Sequence, residues 1–409
     1  MTLSTWAPVP ADSQFGVANL PYGAFSRGDE NPRVGVRIGD NVLDLSALAG
    51  TGDLPADVAE AVRAESLDTL LAAGPQAWKS LREWVTGLLT DPAKESGASP
   101  HLVPLADVRM HMPFTVADYV DFYSSEHHAA NVGKMFRPDA PPLLPNWKHL
   151  PVGYHGRAGT VVVSGTDIVR PCGQRKAPDE SAPTFGASRR LDIEAEVGFV
   201  IGGASRLGEP VPTSAFADYV FGVALVNDWS ARDIQNWEYV PLGPFLGKSF
   251  ATSISAWITP LAALEQARVQ PPKRTHALLD YLADDPDRPW GLDLTLEIDW
   301  NGTVVSRPPF ASMYWTPAQQ LAHMTVNGAT VRPGDLYASG TVSGTEVHER
   351  GSFLELSWSG SEPVRLADGS LRTFLEDGDT VTLRASAPGP DGVRIGLGEV
   401  TGRIRPARS

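Results

Sequence analysis

The chain of 409 residues holds a single cysteine, Cys172, which excludes an intrachain disulfide and any cysteine-rich metal centre. No apolar run is long enough to span a bilayer. The opening stretch "MTLSTWAPVPADSQFG" lacks the basic and apolar segments of a secretory signal. Positive charge is also scarce. Against 48 Asp and Glu stand 34 Lys and Arg, a formal net charge of -14 spread along the chain and gathered into no tail. That balance argues against nucleic acid or an anionic membrane as partner. The expected protein is soluble and cytoplasmic. Familiar catalytic signatures are missing too: there is no G-x-S-x-G, no H-E-x-x-H and no G-x-G-x-x-G. "GPFLGKS" places three residues between its glycines where a phosphate loop needs four. Serine hydrolases, zinc proteases and nucleotide enzymes are therefore unsupported.

What is present reads as a mainly β protein. "PRVGVRIGDNVLDLSAL" forms strands on either side of a hairpin turn at Gly39-Asp40. "DLPADVAEAVRAESLDTLLAAG" and "PQAWKSLREWVTGLL" have helical spacing, with Asp53 or Ser66 as candidate caps. The polar stretch 90–101 is expected to be a linker, and a domain boundary is placed near 105–117. Beyond it, strand-like runs recur, including "GTVVVSG", "LDIEAEVGFVIGG", "YVFGVALVND", "FLELSWSG" and "DTVTLRASA"; "THALLDYLA" and "TPAQQLAHMTV" are the few helical patterns.

"LDIEAEVGFVIGG" carries Glu194 and Glu196 two residues apart inside an apolar strand. Side chains alternate along a strand, so both carboxylates share a face and need positive charge to offset their burial. Asp121, Asp228 and Asp233 are further acids at strand ends or among aromatics. Carboxylates without cysteine or histidine spacing suit a hard divalent cation such as Mg²⁺ or Ca²⁺. Spacing alone leaves open which Asp completes such a site. His127 and His128 follow Asp121, and either could serve as a general base. Glu355 in "FLELSWSG" is a carboxylate that could orient such a base. The segment 227–250, "NDWSARDIQNWEYVPLGPFLGKSF", supplies Arg232, Gln235 and Lys248 as donors for a developing oxyanion.

Five stretches together resemble the fumarylacetoacetase (fumarylacetoacetate hydrolase) family: "DYVDFYSSEHHAANVGKMFR", "LLPNWKHLPVGYHGRAGTVVVSG", "LDIEAEVGFVIG", "NDWSARDIQNWEYVPLGPFLGKSF" and "GDLYASGTVSG". The resemblance runs from about residue 15 to the C-terminus. It implies a small N-terminal SH3-like β-barrel domain with flanking helices over 1–116. A C-terminal mixed β-roll catalytic domain would span 117–409 and form a homodimer. The implied reaction is hydrolysis of the carbon–carbon bond of 4-fumarylacetoacetate, a 1,3-diketo acid, to fumarate and acetoacetate, which ends tyrosine and phenylalanine breakdown. Another metal-dependent enzyme of the superfamily, an acylpyruvate hydrolase or a decarboxylase, is the alternative. By motif, Asp121, Glu194, Glu196 and Asp228 would bind Mg²⁺ or Ca²⁺, with Lys248 and Thr252 at the same position. His128 would be the base and Glu355 its orienter. Arg232, Gln235 and Lys248 would stabilise the oxyanion. Tyr123, Arg137, Tyr154, Gln235, Tyr239 and Thr341 would contact substrate.

Overall fold

A computed structural model describes residues 4–50 and 54–408. The fold is mainly β. A smaller N-terminal part carries a five-stranded antiparallel sheet in the order Leu102–Pro104, Asn41–Asp44, Arg33–Ile38, Tyr22–Ser26, Arg109–Met110. The expected hairpin is there: Ile38 pairs with Asn41 around a two-residue turn, and Gly39 has φ +55°. The helices Ala56–Val62, Asp68–Ala72 and Gly74–Thr90 pack on this sheet through their apolar faces. The Ser66 hydroxyl accepts from the Asp68 amide at 3.3 Å, one residue ahead of the cap position Leu67. Asp53 lies outside the described residues. The stretch 90–101 is not the open linker expected from its polarity. It coils into successive short helical turns, Pro92–Lys94, Glu95–Ala98 and Ser99–His101, started by the Asp91 carboxylate accepting from the Ala93 amide.

The larger C-terminal part holds two sheets. The first is mixed and eight-stranded. Its path runs Gly153–His155, Tyr119–Phe122, Leu336–Ala338, Ala195–Ile201, Val220–Asp228, Thr252–Ile254, Val161–Val163, and Thr259–Pro260 also pairs with Val220–Asp228. The second runs Thr303–Ser306, Thr295–Trp300, Thr380–Pro388, Arg394–Arg405, Ile168–Val169. Ala195, Val197, Phe199 and Ile201 pack with Leu296, Ile298 and Leu383 of the second sheet. Val200, Ala224 and Val226 pack with the N-terminal part on the opposite face. The strand Ala195–Ile201 is thus buried on both faces, which is why its apolar residues do not alternate with polar ones.

Three local expectations fail. Leu191–Gly203 is not one strand: Leu191–Asp192 pairs with Ser230–Ala231, and pairing with Val220–Asp228 begins only at Ala195. Glu194 sits in the break, where the Asn227 side-chain carbonyl accepts from its amide at 3.3 Å. "FLELSWSG" is not a strand either. It forms the one-turn helix Phe353–Leu356 followed by the turn Trp358–Gly360, because Ser352 and Asp192 take up its first amides. "THALLDYLA" keeps only the turn Asp280–Leu282, since Leu278, Tyr281 and Leu282 pack as a loop around Trp147, Tyr314 and Trp315. "TPAQQLAHMTV" does form the helix Pro317–Thr325, opened by a Thr316–Gln319 capping box. No described helix is long and apolar enough to cross a membrane.

Candidate active site

The eight-stranded sheet gathers acids at one end. Asp121 lies on Tyr119–Phe122, in register with Ala338. Glu196 lies opposite Val226, and Asp228 opposite Thr252. The Asp228 amide donates to the Glu194 carbonyl at 3.1 Å, which brings Glu194 beside Asp228 despite the strand break. Asp121, Glu194, Glu196 and Asp228 are all buried and offer ligand oxygens within 4.8 Å of one another. Of the three Asp residues singled out, Asp121 and Asp228 join the pair. Asp233 does not: it accepts instead from the Ser188 hydroxyl at 2.6 Å and the Arg189 amide at 2.8 Å.

Two cations attend this quartet. Lys248 Nζ donates to Glu194 Oε2 and Asp228 Oδ2, each at 2.6 Å. Arg232 Nη1 contacts Glu194 Oε1 at 2.7 Å. The Thr252 hydroxyl donates to Asp228 Oδ1 at 3.0 Å. Lys248 and Thr252 therefore grip a candidate ligand, and the ammonium has no lone pair to offer a metal. Burial would raise the Glu194 pKa, but Lys248, Arg232 and His128 outweigh it and hold it below the ordinary carboxylate range. Among the described residues, Asp121 and Glu196 have no ion-pair partner. Burial, then the neighbouring carboxylates, push both well above the ordinary range; for Asp121, Lys248 and the Tyr154 hydroxyl offset this only in part. Asp121 Oδ1 and Glu196 Oε1 are buried without a hydrogen-bond partner. Crowded all-carboxylate oxygens with spare lone pairs fit a hard divalent cation, and the quartet can hold one.

Of the two adjacent histidines, His128 is the one joined to Glu355. His128 Nδ1 lies 2.7 Å from Glu355 Oε2, and both residues are buried. Glu355 Oε2 also accepts from the Ser343 and Ser352 hydroxyls, each at 2.9 Å, and Oε1 accepts from Asn131 at 3.0 Å. Burial would raise the Glu355 pKa, but His128 and these donors lower it, so it stays a carboxylate. It then fixes the proton of a neutral imidazole on Nδ1 and leaves Nε2 as the acceptor. Tyr123 packs edge-on against His128 with ring centroids 5.3 Å apart.

The segment 227–250 is organised by the helix Arg232–Glu238. Gln235 Oε1 accepts from Arg232 Nη1 at 3.2 Å. A cavity of about 330 Å³ opens onto Asp228, Lys248 and Thr252, bounded by Tyr154, Arg157 and Phe245, a volume suited to a small ligand. Thr341 is buried with its hydroxyl unpartnered. Before it, the Gly340 amide donates to Glu196 Oε2 at 3.1 Å. Gly340 has φ +76°, and a Cβ there would fall 2.2 Å from the Phe122 carbonyl, so this approach requires glycine. Among the described residues, two expected substrate contacts make no side-chain hydrogen bond to the quartet or to Glu355. Arg137 donates to the Pro142 carbonyl at 3.1 Å, and Tyr239 is 44% exposed past the helix end.

Comparison with known proteins gives the family. Residues 118–405 match the fumarylacetoacetate (FAA) hydrolase C-terminal family, and residues 18–113 match the fumarylacetoacetase N-terminal family. The chain belongs to the fumarylacetoacetate hydrolase family. It is 47% identical to the fumarylacetoacetase of Homo sapiens over 417 residues, covering 98% of this chain and 99% of that one. It is 44% identical to the fumarylacetoacetase of Arabidopsis thaliana over 418 residues, covering 99% of each. Among solved structures, a fumarylacetoacetate hydrolase from psychrophilic Exiguobacterium antarcticum superposes with TM-score 0.54 at 18% identity, covering 95% of this chain and all of that one. That likeness concerns the fold.

Sequence reasoning missed several groups that this member of the family uses to build the site. Asp192 is one of them, two residues before Glu194, where the same alternation could have found it. Asn131 reaches Glu355 from a distant segment and Ser343 from twelve residues before it, with no local pattern to mark them, whereas Ser352, three residues before Glu355, could have been found from the S-x-x-E capping pattern.

Proposed function

We propose that this protein hydrolyses the carbon–carbon bond of 4-fumarylacetoacetate to fumarate and acetoacetate, with Mg²⁺ or Ca²⁺ held by Asp121, Glu194, Glu196 and Asp228. The observation that carries this function is the meeting of the four-carboxylate cluster with the His128–Glu355 pair in one buried site. A divalent cation at the quartet would supply the positive charge that polarises a 1,3-diketone. His128 Nε2 takes a proton from water, and Glu355 stabilises the imidazolium that results. The hydroxide oxygen bonds to the carbonyl carbon of the fumaryl group. The bond to the acetoacetate carbon breaks, and that carbon takes up a proton. Arg232, Lys248 and Gln235 stand about the developing negative charge. Tyr123, Arg137, Tyr154, Tyr239 and Thr341 orient the substrate.

The family resemblance also supports a division near residue 117 and a homodimer, which sedimentation of the purified protein would detect, and the single cysteine supports a reducing, cytoplasmic location. Incubation with 4-fumarylacetoacetate and Mg²⁺ should release fumarate and acetoacetate in equal amounts. Absence of both products with Mg²⁺ and with Ca²⁺ would refute the function.

A further inference from the structure

We propose that Asp192 is a positioning residue that locks the Glu355 helix, and with it His128, onto Arg232 and the carboxylate quartet. Asp192 is fully buried and does not join the quartet. Each of its oxygens accepts two hydrogen bonds. Oδ1 takes the amides of Ile193 at 2.7 Å and Phe353 at 2.8 Å. Oδ2 takes the Leu354 amide at 3.0 Å and Arg232 Nε at 2.8 Å.

These partners belong to the two halves of the site. Phe353 and Leu354 open the helix Phe353–Leu356, which has four residues and cannot hold its own shape. Its first amides have no partners within the helix, so their direction depends on an outside acceptor. Ser352 takes the Glu355 amide at 3.3 Å, and Asp192 takes the two before it. Glu355 leaves this turn to meet His128. On the other side, Arg232 binds Asp192 through Nε and Glu194 through Nη1. A continuous chain of charged hydrogen bonds therefore runs His128–Glu355–helix–Asp192–Arg232–Glu194. Asp192 sits on the strand Leu191–Asp192, paired with Ser230–Ala231 just ahead of Arg232, so its backbone is fixed to the same scaffold. All its lone pairs are engaged, and its role is to set where its neighbours stand.

The role of His128 rests on the proposed function, but the placement of its ring does not, and the test separates them. Asp192→Asn keeps the shape and turns one acceptor into a donor facing other donors. In the wild-type protein the Nδ1 proton of His128, bonded to Glu355, should give a far-downfield proton resonance, assigned by its loss in His128→Ala. In Asp192→Asn that resonance should vanish or move, and kcat should fall about 10–100-fold with KM little changed. If Asp192→Asn fails to fold by circular dichroism, Asp192→Glu is read the same way: the charge is kept but the added methylene displaces the helix. A variant with unchanged resonance and kcat, losing thermal stability alone, would make Asp192 a structural ion pair and overturn the proposal. If wild-type protein turns over no 4-fumarylacetoacetate, the proposed function fails, and the resonance still decides the case of Asp192.

Discussion

Asp121 and Glu196 on one side of the site, and Glu355 on the other, are the same chemical group in equally buried surroundings, yet their ionisation goes opposite ways. Glu355 is surrounded by donors from His128, Ser343, Ser352 and Asn131, and its pKa is lowered. Asp121 and Glu196 face other carboxylates, each keeps an oxygen without a partner, and their pKa values are raised. Burial does not decide the charge; the supply of donors does. One half of the site is electrostatically complete and holds the His128 ring. The other half has ligand capacity left over, as a cation site requires.

The largest effect should come from the complete half. His128→Ala should lower turnover about 10²–10⁴-fold while Mg²⁺ affinity, read by calorimetry, stays near wild type. Loss of both together would mean the halves are not separable. Next comes the cage. Glu196→Gln should weaken Mg²⁺ binding by at least about tenfold, and activity with it. The chelated protein should lose little stability, because the change relieves crowding among like charges. A large stability loss with unchanged affinity would make Glu196 a structural acid.

The raised pKa values of Asp121 and Glu196 set a pH dependence. As pH rises from the unfolded-state pKa of a carboxylate, about 4, through the raised values, the folded chelated protein must ionise crowded acids and is destabilised. Cation binding offsets this. The gap in melting temperature between Mg²⁺-loaded and chelated protein should therefore widen as pH rises across that window, and a constant gap would contradict the assignment. The smallest effect belongs to Ser343→Ala. It removes one of four donors to Glu355, costs about 1 kcal/mol and should lower kcat about fivefold.

Local rules reached some of this and not the rest. The hairpin at Gly39-Asp40 and the helix Pro317–Thr325 follow from turn and capping chemistry, and both are seen. The shared side of Glu194 and Glu196 follows from alternation, and their oxygens do converge. Alternation could not show the break before Ala195, because it arises from a change of strand partner. "FLEL" is too short to declare itself helix or strand. Its turn is imposed by Ser352 and by Asp192, about 160 residues away in the chain. Family resemblance rather than spacing selects Asp121, Asp228 and His128, since the two acids reach the site through sheet order and His128 through the helix Glu126–Phe136.

The central claim is that one buried site needs both halves: the quartet loaded with a cation and the His128–Glu355 pair. It is tested most directly by following loss of fumarylacetoacetate absorbance in chelated protein, before and after Mg²⁺ or Ca²⁺ is returned. The account predicts no turnover when chelated and recovery when the cation is restored. Full turnover by the chelated protein would contradict it.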